Sequence, residues 1–326
     1  MIGAAEIRRA VSMAEAIAAV RSAFLDTAAG RFEQPPRTVL DDGGFLIMPI
    51  HHRPTGTLAV KTLRLDFGRT DAEVTGVGGT GVEGTDAEGA DAESGGAAIT
   101  GSILWSDRRP EPLMFDAGPV TALRTGAATG VATDLLAAPG ASRLVLIGAG
   151  AQAADQVRGV HAVRPLRELT IVGTGSERAA LLAEILAGEL PGTEIRVTRD
   201  AAKAVAGADI VCCATPATEP LFPASALPER VHVNAIGSYR PSMQELPGEL
   251  LSAAALVVDD REAVLAEAGE IIQAVRSGEI GTGDLIPLGE ALGRSVPPAA
   301  AWTVYKSVGT AAQDWALARL LAEKLG

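Results

Sequence analysis

A glycine-rich turn between a buried strand and a helix is the feature of this sequence best suited to chemistry. Four branched apolar residues, Leu144 to Ile147, lead into Gly148-x-Gly150-x-x-Ala153, and a helical pattern follows directly. Gly148 allows a tight turn, Gly150 lets the backbone approach a pyrophosphate, and Ala153 allows close packing of helix on strand. The helix N-terminus adds unpaired N–H groups and a partial positive charge. The spacing predicts a dinucleotide site, with the pyrophosphate covered by Gly148, Ala149, Gly150, Ala151 and Gln152.

The second strand of the same unit bears on which nicotinamide cofactor is bound. An NAD-specific site usually carries Asp or Glu at the end of this strand, where the acid binds the ribose 2′-hydroxyl. Here no acid directly follows the strand-like run from Leu169 to Val172. Thr174, Ser176 and Arg178 are instead suited to surround a 2′-phosphate. The pattern favours NADP(H), and Glu177 keeps NAD(H) possible.

Three other residues come at the ends of later strand-like runs. Thr215 ends the run that begins at Asp209, and Asn234 and Gly237 end the next one. The carboxyl ends of parallel strands meet at one edge of the sheet, where nicotinamide and ribose lie. We therefore expect all three residues to contact the cofactor.

The elements that position these residues alternate between strand and helix. Strand-like runs separated by helical patterns are LVLIG, LTIVG, EIRVT, DIVCCAT, VHVNAIG and ALVVDD. Such alternation predicts an α/β fold, with a Rossmann domain built on a doubly wound parallel sheet.

The remainder of the sequence predicts a second domain of α+β type. A helical pattern runs from Ala4 to Thr27, short strands follow, and Ile99–Trp105 and Pro112–Asp116 flank a hairpin turn. Another helical pattern, Ala299 to Leu325, lies beyond the last predicted strand, so we expect it to pack back on this domain. Since 326 residues exceed one ordinary core, we assign 1–125 with 299–326 to this domain and 126–298 to the NAD(P)-binding domain. The active site is expected in the cleft between them.

Composition excludes several functional classes. A net charge of -12 argues against a nucleic-acid partner. We find no long apolar run and no signal-peptide pattern, so we expect a cytoplasmic protein without a membrane partner. Between Asp66 and Gly96 lie eight acids and one base, and this segment has too few large apolar residues to fold, which predicts a flexible acidic insertion. Cys212 and Cys213 are expected to be buried packing residues, and the histidines lack metal-ligand spacing, so no metal is expected.

Several short peptides, taken in order, resemble the ornithine cyclodeaminase and mu-crystallin family over nearly the whole chain. They are Gln34-Pro35-Pro36-Arg37, Met48-Pro49, Val60-Lys61, Thr121-Ala122-Leu123-Arg124-Thr125-Gly126-Ala127, His232-Val233-Asn234-Ala235-Ile236-Gly237, and Lys306-Ser307-Val308-Gly309 with Asp314. The resemblance implies a homodimer whose sheet domain binds substrate and forms the dimer contact. It also implies an enzyme of amino-acid metabolism that acts on small imino or amino acids.

The resemblance assigns roles to individual residues. Family members use cations at the positions of Arg37, Lys61 and Arg124 to bind a substrate carboxylate, which suits a guanidinium fork and an ammonium point charge. Lys61 is also expected to relay a proton, because burial beside two arginines lowers its pKa. The family pattern brings Ser307 and Gly309 to the nicotinamide from the other domain.

One departure from the family pattern separates the possible reactions. Cyclodeaminases and archaeal alanine dehydrogenases of this family carry an aspartate where Tyr239 stands in this sequence. A phenol with a pKa near 10 is a poor base at neutral pH, so Tyr239 is expected to bind substrate or line the cleft. The segment is more similar to mu-crystallin and the pyrroline-2-carboxylate reductases.

The sequence therefore predicts an NAD(P)H-dependent oxidoreductase that reduces cyclic ketimines, such as pyrroline-2-carboxylate or piperideine-2-carboxylate, by hydride transfer to the imine carbon. Two alternatives stay open at this point. One is a cyclodeaminase-type lyase that converts ornithine to proline and ammonia. The other is a non-catalytic protein that stores NADPH and small ligands, as crystallins do.

Overall fold

The computed structural model describes residues 1–41, 44–66, 98–294 and 300–326. The acidic insertion, apart from Asp66, lies outside these ranges, so its flexibility stays a prediction. Within the described ranges no helix is both long enough and apolar enough to cross a membrane.

Strands and helices in these ranges have the following bounds. The strands are β1 (Phe32–Glu33), β2 (Thr38–Leu40), β3 (Phe45–His52), β4 (Thr57–Asp66), β5 (Ala98–Ser106), β6 (Leu113–Asp116), β7 (Arg143–Ile147), β8 (Glu168–Val172), β9 (Glu194–Thr198), β10 (Ile210–Cys213), β11 (Val231–Ala235), β12 (Ala255–Val258), β13 (Leu285–Pro287) and β14 (Trp302–Lys306). The helices are α1 (Ala4–Ala10), α2 (Met13–Ala28), α3 (Ala117–Leu136), α4 (Ala153–Val163), α5 (Ser176–Glu189), α6 (Ala201–Val205), α7 (Gly248–Ala253), α8 (Arg261–Glu267), α9 (Gly269–Ser277), α10 (Leu288–Gly293) and α11 (Ala311–Leu325).

The first sheet is antiparallel and has the order β1-β3-β4-β5-β6, with β2 paired to β3. Alternate residues of β3 are buried, as expected for a sheet covered on one face. The alternation continues in β4, so Lys61 shares the buried face with Ala59 and Leu63. The predicted meander and the predicted hairpin between β5 and β6 are confirmed.

The helix predicted from Ala4 to Thr27 is wrong as a single element, because α1 and α2 are separated at Val11 and Ser12. Ser12 caps α2 together with Glu15. The Glu15 carboxylate accepts a hydrogen bond from the Ser12 N–H at 2.9 Å, and the Ser12 hydroxyl accepts one from the Glu15 N–H at 3.4 Å. This reciprocal capping box starts a new helix even though the apolar spacing runs on.

The second sheet is parallel and has the order β13-β12-β14-β11-β10-β7-β8-β9. All six predicted strands of the nucleotide-binding part are present, which confirms the doubly wound α/β class. From β7 the chain adds β8 and β9 on one side and then returns to add β10 on the other. The order therefore reverses between β7 and β10, and ligands of such sheets bind at this point of reversal. Gly148 follows β7 there, and Thr215 follows β10 after one intervening residue.

The terminal helix predicted from Ala299 to Leu325 begins only at Ala311. Its first part contains strand β14, which pairs with β11 and β12 in the second sheet. Trp302 to Tyr305 are aromatic or β-branched residues, which favour a strand over a helix. Residues 302–306 thus lie in the second sheet, although the predicted boundary gives 299–326 to the first domain. Helix α11 does return to the first sheet, where it contacts β3, β4 and β5, and the division into domains stays a prediction.

Helix α3 lies between the two sheets and contacts both β5 and β11. It also crosses α4 at very short range, because Gly126 of α3 and Gly159 of α4 face each other. A side chain at either glycine would overlap the backbone of the opposite helix. Arg124 lies two residues before Gly126 on the same helix. The close crossing therefore fixes the position of the backbone that carries the Arg124 side chain.

Gly126→Ala should lower the free energy of unfolding by about 3 kcal/mol, because the added methyl group forces the two helices apart. Gly188→Ala is the matched control. Gly188 also lies in a helix but has open space around it, so alanine there should stabilise the protein by roughly 0.5 kcal/mol through helix propensity. Urea unfolding of both variants measures the difference. Equal midpoints for the two variants would contradict a close α3–α4 crossing.

Candidate functional site

Lys61 is the most deeply buried charged side chain of the predicted set, with 1% of its surface exposed. Its Nζ lies 3.0 Å from Asp314 Oδ1 on helix α11. Burial lowers the pKa of Lys61 to about 8, the Asp314 carboxylate opposes this shift, and the nearby Arg124 and Arg37 charges add to it. An amine with this pKa both holds and releases a proton close to neutral pH.

Arg124 of α3 shares the carboxylate of Asp314 with Lys61. Its Nε lies 3.2 Å from the same Oδ1 atom, and its Nη1 donates a hydrogen bond of 2.7 Å to Gln313 Oε1. The other Asp314 oxygen and the Gln313 amide nitrogen are buried and have no hydrogen-bond partner among the described residues. The site thus offers one acceptor and one donor beside two cations.

Arg37 reaches the site from the segment between β1 and β2. Its Nη2 donates to the Gly309 carbonyl at 2.6 Å, and its Nε lies 2.9 Å from Glu267 Oε1 on α8. Gly309 has a φ of +83°, and a side chain there would overlap the Arg124 guanidinium. The turn at Gly309 therefore lies between the two arginines. The structure brings Arg37, Lys61 and Arg124 together, and we call these three residues the cation cluster.

The turn that carries Gly309 is held by Asp259, at the end of β12. Asp259 Oδ2 accepts hydrogen bonds from the Ser307 hydroxyl at 2.7 Å, the Val308 N–H at 3.0 Å and the Gly309 N–H at 2.7 Å. Ser307 is thus engaged with Asp259. The predicted contact of Ser307 and Gly309 with the nicotinamide stays a prediction. Asp259 lies in no motif, and the only sign of its role in the sequence is its place directly after a strand.

The turn between β7 and α4, residues 148–152, has the features that a pyrophosphate requires. Gly148 has a φ of +108°, and a side chain there would overlap the backbone at Ala214. In front of Gly150, by contrast, no atom lies within 4 Å of where a side chain would begin. Helix α4 starts at Ala153, so the positive end of its dipole lies at this turn. The chain therefore fits a dinucleotide at the predicted position.

Glu245 joins the neighbouring strand ends. Its Oε1 accepts from the Thr215 N–H at 2.7 Å and the Thr215 hydroxyl at 2.9 Å. Its Oε2 accepts from the Gly237 N–H at 2.7 Å and the Ser238 N–H at 3.2 Å. Thr215 and Gly237 are thus brought together at the predicted edge of the sheet. Glu245 lies in no recognisable motif, so its role could not be predicted from the sequence alone.

Asn234 lies inside strand β11 and is completely buried. Its Nδ2 donates to the Thr133 hydroxyl of α3 at 3.1 Å, and its Oδ1 lies 3.1 Å from His232 Nε2. These contacts pack the sheet against α3. The predicted contact of Asn234 with the cofactor stays a prediction.

Tyr239 is half-buried and packs against the apolar cores beneath both sheets. Burial raises the pKa of its phenol above the ordinary value. This placement fits a wall of the cleft, which was one of its two predicted roles.

Thr174 and Arg178 are exposed beside the end of β8, and Ser176 begins helix α5. A 2′-phosphate has access to these exposed residues, and the predicted contacts with it stay a prediction. Cys212 and Cys213 are free and fully buried, as predicted.

A model of the ornithine cyclodeaminase/mu-crystallin family matches residues 104–326 of the sequence. The chain belongs to the ornithine cyclodeaminase/mu-crystallin family. The resemblance drawn from the short peptides is thereby confirmed.

Three members of this family illustrate the similarity. A Delta(1)-pyrroline-2-carboxylate reductase of Bacillus cereus is 37% identical over 235 residues, which cover 69% of this chain and 71% of that protein. Ketimine reductase mu-crystallin of Mus musculus is 33% identical over 209 residues, covering 64% and 63% of the two chains. The structure of Thermococcus litoralis Delta(1)-pyrroline-2-carboxylate reductase in complex with NADH and L-proline is 30% identical, has a TM-score of 0.85, and covers 99% of this chain and 96% of that one.

The buried amine of Lys61 should make protein stability depend on pH. Its pKa is about 8 in the folded protein and 10.5 as the ordinary value, so between these two pH values the unfolded chain holds a proton that the native protein does not. The free energy of unfolding therefore gains about 3 kcal/mol from Lys61 as pH rises through this window.

Urea unfolding at pH 7.5 and pH 10 measures this gain as a difference between wild type and Lys61→Met, in which no amine remains. Arg64→Met, an exposed substitution on the same strand, serves as the control and should keep the wild-type pH dependence. Parallel pH profiles for wild type and Lys61→Met would contradict a lowered pKa.

Proposed function

We propose that this chain is an NAD(P)H-dependent reductase of small imino acids, with cyclic ketimines such as pyrroline-2-carboxylate and piperideine-2-carboxylate as substrates. The observation that carries the proposal is the charge balance of the cleft. In the ion pairs of the cleft, the three cations of the cation cluster share two carboxylates, Asp314 and Glu267, so the cations outnumber their direct partners by one. Cations in excess of their paired carboxylates favour a ligand that brings one carboxylate of its own. The reductase names of the family relatives support the same substrate class.

The cation cluster would hold that carboxylate from different sides. Arg124 is fixed by Asp314 and Gln313, and Arg37 by Glu267 and Gly309, so neither guanidinium must be ordered when substrate arrives. Pre-ordered donors of this kind lower the entropy cost of binding and fix the distance to the reacting carbon. A nicotinamide cofactor held at the glycine turn would supply the hydride for that carbon.

Lys61 would donate the proton that the reaction requires. Reduction of an imine requires a proton on nitrogen, and Lys61 can donate one at neutral pH because its pKa is about 8. The Asp314 carboxylate stabilises the charged amine before transfer, while burial favours its neutral form afterwards. The amine can then recover a proton from water when product leaves.

Tyr239 supports a reductase over a lyase. A cyclodeaminase must take protons from the substrate amine, for which related lyases use an aspartate at this position. The phenol of Tyr239 stays neutral near pH 7, since burial raises its pKa further. Reduction of an imine needs no base at that position.

On the cofactor, we propose NADP(H) as the preferred partner and NAD(H) as a weaker one. No acid directly follows β8 to bind a ribose 2′-hydroxyl, and Arg178 lies exposed in the first turn of α5, near Thr174. A guanidinium at this place suits a 2′-phosphate.

We also propose a homodimer formed through the first sheet. Its strands expose several large apolar side chains, and such side chains favour contact with a partner over contact with water. They are Val39, Leu40, Phe45 and Met114.

Absorbance of reduced nicotinamide in the presence of pyrroline-2-carboxylate or piperideine-2-carboxylate tests the reaction. Wild type should oxidise the cofactor, and Lys61→Met should lower kcat by about 100-fold or more, since it removes the proton donor. Arg64→Met on the exposed face of the same strand should keep wild-type kcat. Ammonia from ornithine without net cofactor oxidation would instead establish the lyase.

Arg178→Ala should raise KM for NADPH by about tenfold, equivalent to one charge-assisted hydrogen bond, and leave KM for NADH within twofold. Steady-state rates with each cofactor at saturating imine measure both constants. Arg167→Ala, outside the glycine turn, is the control for a general loss of positive charge. An equal rise for both cofactors in Arg178→Ala would remove the basis for NADP preference.

A further inference from the structure

Glu267 forms an ion pair that joins the two sides of the cleft. It is the last residue of α8, which follows β12 of the second sheet, and its partner Arg37 lies between two strands of the first sheet. The Nε–Oε1 distance is 2.9 Å, with 15% of the Arg37 side chain and 20% of the Glu267 side chain exposed. The pair is therefore partly shielded from water. Charges that are shielded in this way interact more strongly than charges at an open surface.

The contacts of Arg37 show which part of its guanidinium is left for a ligand. Glu267 occupies Nε, and the carbonyls of Gly309 and Val308 lie 2.6 Å and 3.5 Å from Nη2. Nη1 has no hydrogen-bond partner among the residues described. The segment that carries Arg37, residues 34–37, has no regular secondary structure. Its orientation thus depends on acceptors supplied by α8 and by the turn before α11.

We propose that Glu267 is a positioning residue, which holds Arg37 ready for the substrate carboxylate and weakens the binding of that carboxylate whenever Glu267 is itself charged. The inference deepens the proposed function and rests on it for the identity of the ligand. Glu267 acts through Arg37 and need not touch the substrate. Its two effects oppose each other, because the ion pair with Glu267 orders Arg37 while the negative charge of Glu267 cancels part of the attraction between Arg37 and an anion.

The surroundings of Glu267 let its charge change near neutral pH. Its Oε2 atom is buried without a hydrogen-bond partner among the described residues. Burial raises the pKa of Glu267 to about 7, the Arg37 charge lowers it, and the carboxylates of Asp259 and Asp260 raise it further. Below pH 7 the neutral acid leaves the Arg37 charge uncompensated, so an anionic substrate binds more tightly. Above pH 7 the charged form weakens that binding.

Glu267→Gln separates the two effects, because glutamine keeps an oxygen acceptor for Arg37 Nε but carries no charge. At pH 8 its KM for the imino acid should be roughly fivefold below wild type, the size of one partly screened charge interaction. At pH 6 the two proteins should have similar KM values. Titration of the substrate and of Lys61 affects both proteins alike and cancels in the ratio of their KM values. A merely structural role for Glu267 would not give a ratio that changes with pH.

Glu267→Ala tests the positioning effect, since it removes the acceptor as well as the charge. Its KM should lie about tenfold above that of Glu267→Gln at both pH values, with a smaller change in kcat. Glu262→Gln, an exposed change on the same helix, is the matched control and should follow wild type. Superposed KM profiles of wild type and Glu267→Gln from pH 6 to pH 8 would overturn the proposal.

Calorimetric titration with L-proline, in the presence of reduced cofactor, which cannot accept a hydride from it, keeps this result apart from the reaction itself. A dissociation constant that rises with pH in wild type and is flatter in Glu267→Gln supports the role of Glu267, even if no imine is reduced. The same pH dependence in both proteins overturns that role, even if imine reduction proceeds as proposed.

Discussion

The carboxylate of Asp314, placed between Lys61 and Arg124, is the interaction on which the site depends. A lone buried cation would lose its proton or draw in water, whereas two cations on one carboxylate oxygen stay ordered and close together. The three residues come from a strand of the first sheet, the helix between the sheets and the helix that follows β14. These two ion pairs thus hold three separate elements together at the Asp314 carboxylate. The apolar cores position those elements only approximately, and the shared oxygen fixes their final distance.

Two further buried carboxylates extend this arrangement to the second sheet. Asp259 accepts three hydrogen bonds from the turn at Ser307 to Gly309, and Glu245 accepts four from the ends of β10 and β11. Both hold backbone N–H groups where strands end and no regular structure satisfies them. Acids, rather than glycines alone, therefore shape the edge of the cleft. The glycine turn before α4 leaves space for a ligand, and these carboxylates keep the facing turns in place.

The sequence predicts those features of the fold and the site that depend on a repeated pattern or on a known spacing of residues. The six strand-like runs and the glycine turn could be predicted because apolar periodicity and motif spacing are local. The roles of the three cations came from the resemblance of the peptides that contain them to a known family. The roles of Asp259, Glu245 and Glu267 could not be predicted, since a single acid acquires its role only when distant chain segments meet around it. Strand β14 was missed because alanines before and after it continue a helical pattern, and its pairing with β11 and β12 overrides that local preference.

The distance in sequence between the partners of the central ion pair bears on how the protein is made. Lys61 and Asp314 are 253 positions apart, so synthesis from the N-terminus produces the amine long before its counter-ion. Strand β14, which lies between β11 and β12 in the sheet, is also synthesised after both of its neighbours. Neither half of the molecule can complete its packing on the ribosome until this late segment has emerged. Until then, water must hydrate the two unpaired cations and the unpaired edges of β11 and β12. We expect the chain to be most exposed to misfolding and to chaperone binding during this period.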